Sequence, residues 1–269
     1  MAKVRADVLV AAQCGVTEKE AEALLMERRV FAGELPVVNA GTMLAEDTVL
    51  TVREKAKKYA SRSGYKLEKA LPFFGVDAKG LIACDIGASN GGFTDCLLQN
   101  GAAKVFAVDV AYGILEWRLR QDSRVVVMER QNARYLTAEL LGEQVDLVTC
   151  DVSFIGLKKI FPAMRAVLKE DGVCICLIKP QFELPQKDLG KNGVPKDKAL
   201  LPPLFLRILS DAAENGLYLQ GLTVSPIHGQ NGNVEFLTYL GGKPRFSEEE
   251  IESLCNEVAL LPPDSDESI

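Results

Sequence analysis

The chain has 269 residues, of which 48% are hydrophobic and 25% charged, and its formal net charge is −6. This is the composition of an ordinary globular protein, and the length suffices for one large and one small domain. No apolar run approaches the length of a membrane span, and charges as early as Lys3 and Arg5 leave no room for a signal-peptide core. We therefore expect a cytoplasmic protein, and its net charge does not by itself indicate nucleic-acid binding.

The seven cysteines occur without a Cys-x-x-Cys pair. Five of them lie in or beside apolar runs, as buried core residues do: Cys84, Cys96, Cys150, Cys174 and Cys176. We expect free thiols in a reducing compartment, with no disulfide and no bound metal. Because His228 is the only histidine, any Ser-His-Asp or Cys-His catalytic site would depend on it. His228 lies in a predicted loop.

Residues 1–59 are predicted to form a small α+β module. Two segments, 8–12 and 17–26, have helical periodicity, and Thr17 precedes Glu20 by three residues, the spacing of a capping box. Short β-type runs follow at 29–31, 36–38 and 48–52. Two helices followed by a small hairpin sheet are therefore expected.

From residue 79 onward β-type and helix-type segments alternate, which predicts an α/β domain over residues 60–245. Seven apolar runs are the predicted strands: 81–86, 105–110, 125–128, 145–149, 173–178, 217–224 and 234–240. The main helical segments are 92–99, 155–168 and 200–213. The last two runs flank a glycine-containing loop and predict an antiparallel pair that closes a mostly parallel sheet. Residues 246–269 are predicted to form an acidic helix and a polar tail.

The stretch 84–98 is the most informative part of the chain. A turn with the spacing Asp85-x-Gly87-x-Ser89-x-Gly91 follows an apolar strand and leads into an amphipathic segment. A carboxylate there would repel the pyrophosphate of a dinucleotide, whereas it favours a cationic cofactor. The pattern resembles motif I of the S-adenosylmethionine-dependent methyltransferases. The alternative is an ordinary strand, turn and helix of another α/β protein.

Polar residues stand at or just after the ends of five predicted strands, at the edge where a doubly wound sheet binds its ligand. They are Asp85, Asp109, Asn132, Asp151 and Lys179. Lys179 directly follows the apolar run 174–178, where a charged lysine loses its hydration. Such a lysine either pairs with a carboxylate or releases its proton, and both suit catalysis on a poor nucleophile. The alternative is a side chain that reaches solvent past the strand end.

The first module carries Arg-Ala-Asp-Val-Leu at 5–9 and the Arg28-Arg29 pair at the end of its second predicted helix. These residues and the order of elements resemble the S4 RNA-binding domain, although that family usually has glycine at the position of Arg28. Basic residues also cluster at 53–69. They either hold phosphate or form a solvated helix face.

Five motifs along the chain carry a closer resemblance. They are 61–67 (Ser-Arg-Ser-Gly-Tyr-Lys-Leu), 85–94, 151–154 (Asp-Val-Ser-Phe), 178–183 (Ile-Lys-Pro-Gln-Phe-Glu) and 233–236 (Asn-Val-Glu-Phe). Together they resemble the TlyA family, in which an S4 domain is joined to an FtsJ-like ribose 2′-O-methyltransferase that is often named hemolysin. The resemblance extends to about Gly242. It implies a Rossmann-like α/β methyltransferase domain with a mostly parallel seven-stranded sheet, preceded by a small α+β S4-type domain.

The resemblance also implies the site residues. The catalytic tetrad of FtsJ-like enzymes falls on Lys66, Asp151, Lys179 and Glu235. Contacts to the cofactor S-adenosylmethionine fall on Asp85, Gly87, Ala88, Ser89, Gly91, Gly92, Asp109, Asn132 and Asp151. RNA contacts fall on Arg5, Arg28, Arg29, Arg62 and Lys66. In this scheme Lys179 orients or deprotonates a ribose 2′-hydroxyl, and no metal is needed.

The predicted activity is S-adenosylmethionine-dependent 2′-O-methylation of ribose in ribosomal RNA, at cytidines of assembled subunits or ribosomes. The protein is expected to be a monomer and not to bind a membrane. The alternative is a membrane-active cytolysin, which needs a long apolar segment or a basic amphipathic helix, and neither is evident. An RNA-binding protein with an inactive catalytic domain is disfavoured by the intact tetrad. A small-molecule methyltransferase would leave the first module without a purpose.

Overall fold

A computed structural model describes residues 2–53, 58–190, 193–229 and 232–263. The chain divides into two compact units, residues 1–58 and 59–269, and we describe each by itself. The second unit includes the C-terminal helix that the sequence sets apart at 246–269. Residues 264–269 of the predicted tail lie outside the described residues.

The first unit combines two helices with short strands. Its elements are β1 (Lys3–Arg5), α1 (Ala6–Cys14), α2 (Glu18–Met26), β2 (Val30–Ala32), β3 (Leu35–Val37), β4 (Met43–Ala45) and β5 (Leu50–Val52). Strand β1 pairs with β4, and a second antiparallel sheet has the order β3-β2-β5. The predicted capping box is confirmed, because Thr17 Oγ1 accepts a bond from Glu20 N–H and Thr17 N–H donates to the Glu20 carboxylate. Strands β1 and β4 were not predicted from the sequence, whereas the predicted β-type runs correspond to β2, β3 and β5.

The second unit is built on one seven-stranded sheet. Its strands are β6 (Ile82–Ile86), β7 (Lys104–Val108), β8 (Val125–Met128), β9 (Val145–Cys150), β10 (Leu168–Ile178), β11 (Tyr218–Val224) and β12 (Phe236–Gly241). The spatial order is β11-β12-β10-β9-β6-β7-β8. Strands β6 to β10 pair in parallel, and β12 is antiparallel to both β10 and β11. The predicted mostly parallel α/β sheet with its closing antiparallel pair is confirmed.

The helices of the second unit lie between and after these strands. They are α3 (Ser63–Phe74), α4 (Gly92–Gln99), α5 (Trp117–Arg120), α6 (Ala138–Leu141), α7 (Phe161–Val167), α8 (Pro180–Glu183), α9 (Leu201–Ala213) and α10 (Glu248–Leu260). The predicted helix 155–168 is wrong in its extent, because the backbone is left-handed at Phe154 (φ 63°) and extended at Gly156 (φ −77°, ψ 144°). Helix α10 packs on α9 and β11, so it is part of this unit.

Alternate residues of each strand pack on opposite faces of the sheet, as expected for a sheet covered on both sides. In β10, Cys174 and Cys176 belong to one buried cluster, whereas Ile175 and Leu177 belong to the other. The five cysteines expected in the core are buried there, and all seven cysteines are free thiols.

The topology brings the predicted site residues to one edge of the sheet. The carboxyl ends of the parallel strands β6, β7, β9 and β10 lead directly to Gly87, Asp109, Asp151 and Lys179. Because β12 is antiparallel, its first residue lies at the same edge, and Glu235 comes directly before it. This is the edge at which open α/β sheets bind their ligands.

Candidate active site

Four charged side chains meet at this edge. Lys179 Nζ lies 2.5 Å from Asp151 Oδ1, and Lys66 Nζ lies 2.5 Å from Glu235 Oε2. Lys66 Nζ also lies 3.7 Å from Asp151 Oδ2. The four residues therefore form an unbroken chain of alternating charge, which we call the tetrad, although they are distant in the sequence.

Strand register explains why they meet. Cys150 lies opposite Cys176 across β9 and β10, which brings the ends of both strands together at Asp151 and Lys179. Across the antiparallel pair, Ile178 lies opposite Phe236, so their neighbours Lys179 and Glu235 are adjacent. Lys66 comes from α3, which packs against β12.

The tetrad is nearly removed from water. Lys66, Lys179 and Glu235 retain 6%, 9% and 3% of their exposure. An unpaired charge at such depth costs several kcal/mol, so each ammonium needs its carboxylate. Of the options open for Lys179, the structure shows pairing with a carboxylate. Its ammonium also donates to Ser153 Oγ at 3.0 Å, and Gln181 Nε2 donates to Glu235 Oε1 at 3.3 Å.

Two cavities lie on either side of the Lys179–Asp151 pair. The glycine-loop cavity, about 380 Å³, is lined by Gly87, Ser89, Asp109, Asn132, Asp151 and neighbouring apolar residues. The lysine cavity, about 350 Å³, is lined by Lys66, Lys179, Gln181, Phe182, Glu235 and others. A smaller cavity of about 170 Å³ shares Gly87 and Asp151 with the first and Lys179 with the second. Molecules bound in the two larger cavities would therefore approach each other at this pair.

The glycine-loop cavity presents groups suited to a nucleoside. Each carboxylate oxygen of Asp109 accepts one backbone bond of 2.8 Å, from Ser89 N–H and from Ala111 N–H. A carboxylate oxygen has two lone pairs, so each can accept one more bond, such as a ribose diol supplies. Gly87 has φ 84°, and a Cβ there would lie 2.7 Å from the carbonyl oxygen of Asp151. Only glycine fits this approach of the two strand ends.

Asn132 and Ala88 also border the cavities. Asn132 Oδ1 accepts a bond of 3.1 Å from Arg134 N–H and caps a short 3₁₀ turn, which leaves its amide N–H groups available to a ligand. Ala88 lines the smaller cavity together with Ser89. Both residues border a cavity, and their contact with the cofactor stays a prediction.

Three other expected cofactor contacts do not line these cavities. Gly91 has φ 97°, a backbone conformation that favours glycine, and a Cβ there would overlap the end of the Leu119 side chain. A Cβ at Gly92 would overlap the hydroxyls of Ser61 and Ser63. Asp85 is fully buried. These residues shape the loop, and a direct contact of any of them with the cofactor stays a prediction.

Asp85 is held beneath the loop by two threonines. Its carboxylate oxygens accept bonds from Thr94 Oγ1 at 2.7 Å and from Thr149 Oγ1 at 2.9 Å. Burial raises the pKa of Asp85 to about 6, and the threonine hydrogen bonds oppose that rise. The bonds tie α4 and β9 to the end of β6, so Asp85 braces the loop from below.

The structure also places at the site residues that we had not assigned individually. Phe154 lines both large cavities, is 88% exposed, and lies with its ring centroid 4.9 Å from that of Phe182. Ser153 lines all three cavities. The signal was their membership in the motifs 151–154 and 178–183. An isolated phenylalanine in a sequence predicts burial, so its exposure could not be foreseen.

The expected RNA contacts fall in both units. In the first unit, Arg28 is exposed with a left-handed backbone (φ 58°), which explains why glycine is usual there. Arg29 donates to the carbonyl oxygen of Arg53 at 3.0 Å, and Arg5 pairs with Asp7, so both have structural partners.

In the second unit the two remaining candidates differ in their surroundings. Arg62 is exposed directly before α3. Lys66 is buried in the tetrad, so it can reach only a nucleotide that enters the lysine cavity. Among the described residues, no group of three or more His, Cys, Asp or Glu side chains is placed to hold a metal ion.

Comparison with known proteins identifies the family and the fold. Residues 59–242 match the model of the FtsJ-like methyltransferase family. YqxC of Bacillus subtilis is 44% identical over 240 residues, which are 88% of this chain and 85% of that protein. The chain belongs to the FtsJ-like methyltransferases and, among them, to the TlyA family.

Two further relatives agree with this assignment. The 16S/23S rRNA (cytidine-2′-O)-methyltransferase TlyA of Mycobacterium tuberculosis is 41% identical over 225 residues, 83% of this chain and 84% of that protein. The solved structure of a Streptococcus thermophilus protein named as a hemolysin is 35% identical, with a TM-score of 0.70 over 96% of both chains. The resemblance found in the sequence is thereby confirmed.

The cofactor of the FtsJ-like family is S-adenosylmethionine. The glycine-loop cavity fits this molecule in size and in chemistry. For a cofactor bound in this cavity, Asp109 would accept hydrogen bonds from the ribose hydroxyls, and the carboxylate of Asp151 would balance the positive charge of the sulfonium. Because Gly87 has no side chain, its backbone can lie close to the backbone of Asp151.

Proposed function

We propose that this protein transfers a methyl group from S-adenosylmethionine to the ribose 2′-hydroxyl of cytidine in ribosomal RNA. The observation that carries the proposal is the Lys179–Asp151 pair, which stands between the glycine-loop cavity and the lysine cavity. One cavity suits the cofactor and the other the acceptor nucleotide. Relatives that bear the name of such an enzyme support the choice of cytidine in ribosomal RNA.

In this proposal the residues of the tetrad prepare the acceptor oxygen. S-adenosylmethionine supplies an electrophilic methyl group on a cationic sulfur. Lys179 Nζ borders the lysine cavity and holds the 2′-oxygen by a hydrogen bond, while Asp151 fixes that ammonium at 2.5 Å. Lys66, fixed by Glu235, would place a second positive charge beside the oxygen. The hydroxyl proton would pass to solvent in the lysine cavity as the oxygen–methyl bond forms and the methyl–sulfur bond breaks. In-line alignment of oxygen, methyl and sulfur supplies much of the acceleration.

The lysine cavity also offers a surface for the base of the target nucleotide. Phe154 exposes its ring at the border of both large cavities, and Phe182 supports it from behind. Exposed aromatic rings commonly stack on bases that are turned out of an RNA strand. We assign this stacking role to Phe154.

The first unit is proposed to bind RNA as an S4-type domain. Its two helices and small sheets, with the exposed Arg28 guanidinium and the half-buried Arg29, support this role. Arg5 and Arg62 are proposed as further phosphate contacts, because both side chains are exposed. We propose ribosomal subunits as the substrate, the cytoplasm as the place of action, and a monomer as the active form.

Methyl transfer from labelled S-adenosylmethionine to purified ribosomal subunits tests the proposal. Lys179→Ala should lower the rate by a factor of at least about 100, while the affinity for S-adenosylmethionine changes by less than about threefold. Lys243→Ala is the matched control, because Lys243 is 86% exposed and pairs only loosely with Asp171 at 3.8 Å. Wild-type protein that transfers no methyl group to either subunit would exclude the proposed function.

A cytolytic activity remains the second candidate, because relatives carry the name hemolysin. In the parts of the chain that the structure describes, no helix is both long and apolar enough to cross a membrane. Red-cell lysis by purified wild-type protein and by the Lys66→Ala/Lys179→Ala double variant separates the two candidates. Lysis that persists in the double variant would show an activity independent of methyl transfer.

A further inference from the structure

The loop 151–157 is held at both ends by one short segment of the chain. At its start, Lys179 binds Asp151 and Ser153, at 2.5 and 3.0 Å. At its end, Glu183 Oε1 accepts a bond of 2.7 Å from Leu157 N–H. The exposed Phe154 lies between these two attachments. We call residues 151–157 the acceptor loop, because two of them, Ser153 and Phe154, line the cavity proposed for the acceptor nucleotide.

Glu183 is enclosed against the loop backbone. Its side chain is only 5% exposed, and a Cβ at Gly156 would lie 3.1 Å from its Oε2. The peptide at Gly156–Leu157 therefore rests directly on the carboxylate. Burial raises the pKa of the Glu183 carboxyl, and the bond from Leu157 N–H lowers it.

Helix α9 anchors Glu183 from the other side. Arg207 donates to the carbonyl oxygen of Glu183 at 2.9 Å and lies 3.5 Å from its carboxylate. Asp211, one turn further along α9, binds Lys158 Nζ at 2.5 Å. The end of the acceptor loop is thus fastened to a core helix through two separate contacts.

Phe154 needs such an anchor. Its backbone is left-handed at φ 63°, which costs a residue with a side chain about 1–2 kcal/mol. Its ring is 88% exposed, so burial contributes little to holding it in place. The conformation must be imposed by the fixed positions of its neighbours in the chain.

We propose that Glu183 is a positioning residue for methyl transfer, which fixes the acceptor loop so that Ser153 and Phe154 meet the target nucleotide in one geometry. The proposal rests on the proposed function, because it assigns that nucleotide to the lysine cavity. Glu183 borders neither large cavity, so it acts through the loop. What the loop requires from Glu183 is an oxygen that accepts the Leu157 N–H bond, and a glutamine can supply one.

Three variants of the full-length protein test this. Glu183→Ala removes the acceptor oxygen, Glu183→Gln keeps an oxygen without the charge, and Glu170→Ala is an exposed control. We expect Glu183→Ala to lower kcat/KM for the RNA about 10- to 100-fold, with S-adenosylmethionine affinity changed by less than about threefold. Glu183→Gln should restore kcat/KM to within about threefold of the wild type, and Glu170→Ala should match the wild type.

Hydrogen exchange of the acceptor loop gives a readout that does not depend on activity. Exchange at residues 153–158 should rise in Glu183→Ala and stay near the wild-type rate in Glu183→Gln. Equal impairment of both Glu183 variants would overturn the proposal, and so would wild-type kinetics or unchanged exchange in Glu183→Ala. A parallel loss of cofactor affinity and melting temperature would also overturn it, since that shows a general structural role. Wild-type protein without transferase activity would instead refute the proposed function, while the exchange result still decides the role of Glu183.

Discussion

Asp85→Asn replaces the buried carboxyl beneath the glycine loop by a neutral amide of the same shape. Burial raises the pKa of Asp85 from 3.8 to about 6 in the folded protein, whereas the unfolded chain keeps the ordinary value. The folded protein therefore holds this proton more tightly. The resulting stabilisation is complete below pH 3.8 and is lost as the pH rises through 6. A pKa difference of about 2 corresponds to a loss of about 3 kcal/mol at pH 7.5.

Comparison of the wild type with Asp85→Asn separates the effect of the Asp85 titration on stability from that of all other titrating groups. About half of the loss is already present at pH 5, so the stability of the wild type relative to Asp85→Asn should fall by about 1.4 kcal/mol between pH 5 and pH 7.5. Asparagine can keep both threonine bonds, because a hydroxyl donates or accepts. Urea unfolding followed by circular dichroism at the two pH values measures the difference.

Two results would refute the reasoning about Asp85. A stability difference that does not change with pH would show that the carboxyl titrates at its ordinary value. A large loss of S-adenosylmethionine affinity in Asp85→Asn at pH 7.5 would show that Asp85 acts on the cofactor, although it does not line the cavities. We expect an affinity within about threefold of the wild type.

Further predictions concern one arginine, one aromatic ring and one glycine. Arg28→Gly should raise the stability of the first unit by about 1 kcal/mol relative to Arg28→Ala, because only glycine relieves the left-handed backbone; both should weaken RNA binding in a filter assay. Equal stabilities would contradict the strain argument. Phe154→Ala should raise KM for the RNA about tenfold or more, whereas Phe154→Trp should retain activity, since stacking needs a ring; wild-type kinetics of the alanine variant would exclude stacking. Gly87→Ala should unfold at lower urea concentration than Gly142→Ala. Both glycines have φ near 84°, but a Cβ at Gly142 would meet no described atom within 4 Å; equal midpoints would show that the approach to Asp151 is not tight.

Much of the fold could be predicted from the sequence, because the spacing of apolar residues along each segment reflects which positions are buried. The seven apolar runs correspond to the seven strands of the sheet, and Thr17 with Glu20 fixed the start of α2. The helix predicted at 155–168 failed for a local reason. Its apolar residues contact the core from a loop and a strand as well as from α7, and periodicity does not distinguish these backbones.

The site was predictable as a set of residues but not as a set of contacts. Strand ends and motif resemblance located Asp151 and Lys179, yet the pairing partner of each lysine depends on strand register and on the placement of α3. Glycine patterns were ambiguous in the same way. Gly87 admits a close backbone approach at the cavity, whereas Gly91 makes room for Leu119, and the sequence shows only a glycine in both cases.

In the proposed mechanism the Lys179–Asp151 pair holds a ribose 2′-oxygen of ribosomal RNA while that oxygen accepts the methyl group. Mass-spectrometric mapping of ribosomal RNA tests it most directly, in a deletion strain complemented with the wild-type gene or with Lys179→Ala. We predict that 2′-O-methylcytidine appears with the wild-type gene and is absent with Lys179→Ala. Methylation on a base in place of a ribose, or equal modification by both genes, would contradict the account.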